Sequence, residues 1–115
     1  MLLTISMLIN LGVLGVIIPA IRRDDAAMVQ AYGPATPARG IVVAFYGAIF
    51  AISLLVLAAI TFGLSWASKA ALTILPAQVA HKFLTAFTVG LRNPVVQANL
   101  AIALFHAITL TAMLY

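Results

Sequence analysis

The chain has 115 residues, 65% of them hydrophobic and only 7% charged, against roughly 45–50% and about 25% in ordinary soluble domains, so its expected solvent is a lipid bilayer. Six Lys and Arg against two Asp and Glu give a net charge of +4. In so apolar a chain these charges belong at membrane edges, which argues for an orientation and against nucleic acid as a partner. The lack of cysteine removes disulfides, thiolate metal sites, cysteine nucleophiles and iron–sulfur clusters together.

A bilayer core of about 30 Å takes around 20 helical residues, so the length allows at most four crossings. The first expected span, 2–20, carries no charged side chain and closes on Ile21-Arg22-Arg23-Asp24-Asp25. Because the basic residues follow the apolar run, it reads as a retained helix and not as a cleaved signal peptide. In Ala26–Gly40, residues Gly33, Pro34, Pro37 and Gly40 punctuate a loop, with room for a short helical turn through Tyr32 capped by Asp24 or Asp25. The second expected span is 41–62, ending before the turn formers and interfacial aromatic of Gly63, Ser65, Trp66 and Ser68.

The third segment, 68–88, is ambiguous. Gln78, His81, Lys82, Thr85 and Thr88 recur at spacings of three and four, which puts them on one helical face, with Leu75, Val79, Phe83 and Phe87 expected opposite. Such a helix either lies in the interface or spans the membrane with its polar face turned into a bundle. The fourth expected span, 94–115, starts at Asn93-Pro94, a good cap followed by proline at the first helical position. Three spans leave the loop charges balanced. Four spans place Arg22, Arg23, Arg39, Lys82 and Arg92 on the inner side against Lys69 alone outside, as cytoplasmic loops prefer. The expectation is an all-α integral membrane bundle of four transmembrane helices, one membrane-embedded domain over 1–115. Its N-terminus and C-terminus would lie outside the cytoplasm, as in a bacterial inner membrane. The alternative is three spans plus an interfacial amphipathic helix.

Polar side chains within spans are the candidates for function. Ser6 and Asn10 share a face of the first helix and suit interhelical hydrogen bonding, as does Ser53. His81 and His106 lie 12 and 13 residues from Asn93 on consecutive helices, hence at similar depth, where two facing imidazoles would ligate a haem iron. No cofactor is otherwise indicated. Asn99, Ala103, His106 and Thr109 or Leu110 form an expected bundle-facing stripe. Arg22, Arg23, Arg39, Lys82 and Arg92 form a basic patch at the inner surface, suited to an anionic ligand or lipid headgroup, or simply to anchoring. No metal site is expected. Small residues Gly12, Gly15, Gly47 and Ala51 mark faces where helices approach closely, within one chain or between chains.

No carboxylate lies inside any span, which disfavours proton-coupled export and paired-carboxylate catalysis. Ser53 or Ser65 with a histidine lacks both a strained nucleophile turn and an orienting acid. The layout resembles that of the membrane-associated glutathione and eicosanoid proteins, but the Arg- and Asn/Glu-containing signature of their second helix is absent between Ile41 and Ile60. The leading expectation is therefore a non-enzymatic accessory or assembly subunit of a larger membrane complex, or a homo-oligomer. A four-helix membrane enzyme or anionic-ligand binder using the basic patch is the second reading, and an oligomeric channel or transporter the third. The expected partners are the lipid bilayer and other membrane subunits or copies of the chain.

Overall fold

The computed structural model describes residues 1–115, which form five helices and no strand: α1 (Leu2–Arg22), α2 (Ala26–Tyr32), α3 (Pro37–Thr61), α4 (Ala67–Thr88) and α5 (Pro94–Leu114). Three of them, α1, α3 and α5, are long and apolar enough to cross a membrane. α4 matches them in length at 22 residues but is less apolar.

The helix starts follow from local chemistry. The Asn93 side chain accepts a hydrogen bond from the Val95 amide at 2.9 Å with Pro94 at the first position, as the sequence predicts. Thr36 and Pro37 repeat the device, Thr36 Oγ1 accepting from the Arg39 amide at 3.3 Å. This corrects the expected loop through Gly40 and the expected start at residue 41: Gly40 is tolerated within the first turns because the cap already orients them. Asp25 precedes the short α2, though its side chain makes no capping bond. Asp24 adopts a left-handed conformation, φ 55°, one that Asp accepts more readily than most residues. Gly63 and Gly90, also at positive φ, turn the chain after α3 and α4 without a Cβ penalty.

The four long helices pack as an antiparallel ring. α1 lies along α3 and α4 along α5, and smaller α1–α5 and α3–α4 contacts close it. Both termini lie at one end and α2 at the other. Near the terminal end, Met7, Val56, Ala71 and Leu75 form one buried cluster. Toward the α2 end, Leu14, Ile21, Tyr46 and Ile49 form another. Of 22 buried residues nine are polar or charged, whereas large apolar side chains such as Leu8, Val16, Leu55, Phe83, Phe87 and Leu104 stand on the outside. An apolar exterior around an interior this rich in polar groups departs from the arrangement of a water-soluble bundle and suits a hydrocarbon surround.

Candidate functional site

The interior holds two polar constellations, one on each side of the bundle's middle. The first joins α1, α3 and α5. His106 is fully buried, with Nδ1 3.2 Å from Ser6 Oγ and Nε2 3.1 Å from Asn10 Oδ1. Asn10 Nδ2 donates to Ser53 Oγ at 3.0 Å, and Ser6 Oγ lies 2.9 Å from Thr109 Oγ1. For a neutral imidazole, one ring nitrogen donates and the other accepts. The bonds can then run in one direction from Ser6 through His106 and Asn10 to Ser53, while the single hydroxyl proton of Thr109 goes either to Ser6 or to Phe105 O, which lies 3.0 Å away. The residue pairs 6/109 and 10/106 carry the antiparallel register of α1 on α5. The expected inward stripe of α5 is present, with Asn99, Ala103, His106 and Thr109 all buried.

The second constellation surrounds two adjoining cavities toward the α2 end. One, of about 270 Å³, is lined mostly by apolar side chains, with Lys82, Asn99 and the hydroxyls of Tyr32 and Tyr46 supplying its polar groups. Its rim residues Val13, Ala27, Pro94 and Ala98 are exposed, so it opens sideways between α1 and α5. The other, of about 230 Å³, shares Tyr32, Tyr46 and Asn99 and adds His81, Thr85 and Asn93. Tyr32 and Tyr46 meet edge-on with hydroxyls 3.0 Å apart. Tyr32, on α2, is held protonated to higher pH than an ordinary phenol, first by its burial and then by its bond to Tyr46. Asn93 Nδ2 donates to Ala31 O at 3.1 Å, fastening α2 across this end.

Lys82 is the unusual member. Only 7% exposed, it makes a single hydrogen bond, Nζ to Asn99 Oδ1 at 3.4 Å. It does not snorkel to the inner surface, so the expected five-residue basic patch is corrected. Arg22, Arg23 and Arg92 are exposed, Lys82 faces the bundle, and Arg39 is buried in an ion pair with Asp24 and donates to Gly33 O at 3.0 Å. That pair and its carbonyl bond stitch the α1–α2–α3 corner, so Arg39 serves the fold there.

His81 and His106 share a depth but not a partner. The His81 ring packs on Phe45 of α3 with centroids 4.9 Å apart, while both His106 nitrogens are engaged from α1. The rotation of each helix about its axis separates them, and the structure brings no facing imidazole pair together. A second correction concerns α4: Leu75 shares the buried face of Gln78 and Lys82, because spacings of three and seven bring these positions to one side. Phe83, Leu84 and Phe87 are the ones that face outward. Gln78, 1% exposed, has neither its amide nitrogen nor its oxygen hydrogen-bonded.

Among the glycines, only Gly15 meets another helix, with Phe50 3.7 Å from a Cβ built on it; Gly12 and Gly47 meet nothing within 4 Å. Ala51 is exposed. Gly12 and Gly47 therefore leave open space beside them, unlike Gly15. Compared with protein families, with curated proteins and with solved structures, the chain matches none.

Proposed function

We propose that this is a four-span, non-catalytic protein of a cytoplasmic membrane that holds a small amphipathic molecule in the cavity between α1 and α5. The observation that carries the reading is the cavity itself, an apolar chamber of about 270 Å³ that opens sideways and has a few polar groups converging at Lys82 and Asn99. Sites for small molecules have this composition, and a lateral mouth suits a molecule arriving through lipid. Relative to the sequence expectation, the ligand site moves from the surface arginines to the bundle interior.

The four-span reading draws support from α4, whose polar side chains Gln78 and Lys82 turn inward while Phe83, Leu84 and Phe87 turn outward, as a lipid-surrounded helix requires. With the buried Lys82 and Arg39 left out, Arg22, Arg23 and Arg92 still oppose Lys69 alone, which favours the α2 end inside and both termini outside. Because the chain lacks cysteine, single cysteines report topology cleanly. An impermeant maleimide should label Leu64→Cys from one side and both Gln30→Cys and Leu91→Cys from the other. Labelling of Leu91→Cys from the same side as Leu64→Cys would reduce the spans to three. The ligand reading is tested by mass spectrometry after gentle purification: a lipophilic molecule should accompany the protein in near-stoichiometric amount and be lost from Ala98→Trp, which fills the cavity mouth.

A second reading, a subunit of a larger complex or a homo-oligomer, is favoured by Gly12, Gly47 and Ala51, which lack close partners within the chain and offer backbone approach to another helix. Native electrophoresis of the protein extracted from its own membrane tests it. A lone monomer would dismiss it.

A further inference from the structure

Resting on the ligand reading above, the charges of the chain narrow what the cavity takes. Only two carboxylate side chains exist, and each already faces an arginine: Asp24 is paired with Arg39, and Asp25 with Arg23 at 3.3 Å. Lys82 is thus a buried amine with no acid to meet it, and a buried ion without a counter-charge costs several kcal/mol.

The groups around it are almost all donors. An ammonium offers three N–H bonds, of which Asn99 Oδ1 receives one. Asn99, with its oxygen used this way, keeps its amide N–H groups beside the cavity. The two tyrosine hydroxyls share one hydrogen bond, so one phenolic proton remains to be given. What such a site lacks is an acceptor that carries charge.

We infer that the cavity binds an amphiphile with a singly charged anionic head, a carboxylate in its simplest form, set against Lys82 and Asn99 with its tail along Val13 and Ile102. One positive charge asks for one negative charge, since a doubly charged head would leave an unbalanced anion in low dielectric. The depth is right for such a molecule. Lys82 lies six residues from the end of α4 and Asn99 five from the start of α5, about 8–9 Å in from the helix ends at that face. The head therefore sits just below the membrane surface and the tail reaches toward the middle.

The test uses the full chain in phosphatidylcholine nanodiscs with a dodecanoate carrying a terminal diazirine. Saturable photolabelling of α1 and α5 near Val13 and Ile102 is expected, with dodecanoate competing at least about tenfold better than dodecanol, the discrimination a charge-assisted hydrogen bond provides. The preference should vanish in Lys82→Met and persist in Lys82→Arg. Dodecyl phosphate at a pH where it is doubly charged should compete less well than dodecanoate. Equal competition by dodecanol and dodecanoate in the wild type would overturn the anionic head while leaving an amphiphile site standing. Absence of saturable labelling by the probe, together with no co-purifying lipophile, would remove both. If Lys82→Met does not fold, the comparison of dodecanoate with dodecanol on the wild-type protein decides alone.

Discussion

Asn10 sits where three helices meet, and replacing it with alanine should be far more damaging than one polar side chain suggests. Asn10→Ala removes the bond to Ser53 Oγ at 3.0 Å and the contact with His106 Nε2 at 3.1 Å. At about 0.6 kcal/mol for each hydrogen bond within a membrane bundle, the direct loss is about 1.2 kcal/mol. The partners then fare differently. Ser53 can turn its hydroxyl to a carbonyl one turn earlier in its own helix. His106 has no such escape: it is fully buried, its other nitrogen already faces Ser6, and a stranded polar group costs about 1–3 kcal/mol. The total comes to about 2–4 kcal/mol. Ser53→Ala leaves the buried Asn10 Nδ2 without its acceptor but spares the imidazole, and should cost about 1–2 kcal/mol. Reversible unfolding in mixed dodecyl maltoside and SDS micelles, followed by circular dichroism, gives both values. A double-mutant cycle with His106→Leu should recover about 1–2 kcal/mol of coupling, since that variant removes the group left stranded. An Asn10→Ala variant within about 0.5 kcal/mol of wild type, or one no worse than Ser53→Ala, would refute the assignment of His106 to this network.

Three further outcomes follow from the same packing. Gln78→Leu replaces an amide with no hydrogen bond by an apolar group of similar size and should raise stability by about 1 kcal/mol in the same unfolding assay; a loss of that size would mean the amide has a partner. Arg39→Met should loosen the α2 corner by about 1 kcal/mol, a modest figure because Asp24 is 57% exposed and its attraction is screened. Hydrogen exchange should quicken in 26–33 while α5 stays protected. Tyr32 resists ionisation because burial, then its bond to Tyr46, favours the neutral phenol. Since its folded value lies above the unfolded one, its contribution to stability is complete below the ordinary phenol pKa of about 10 and is lost only as pH rises through the folded value. Spectrophotometric titration should therefore show the same phenolate amplitude up to about pH 11 in wild type and in Tyr32→Phe; a smaller amplitude in the variant would contradict this.

Composition and periodicity alone determined that the chain is all helical, that α1, α3 and α5 are apolar enough to span, and that Asn99, Ala103 and His106 share the inward face of α5. These are local properties, legible because a span must be apolar over its whole length and a helix repeats every 3.6 residues. The start of α3 was legible too, since Thr36-Pro37 carries the same cap and proline as Asn93-Pro94, but Gly40 and the lower apolarity around it masked the signal. What joins what was decided elsewhere. His81 and His106 share a depth yet face α3 and α1, because the rotation of each helix is set by packing against neighbours. Lys82 turns to Asn99 instead of snorkelling, and Arg39 turns to Asp24 instead of joining a surface patch. Each of these pairings joins residues 15 or more apart in the chain. The partners never share a helix, so only the closing of the bundle, which sets helix against helix, could bring them together.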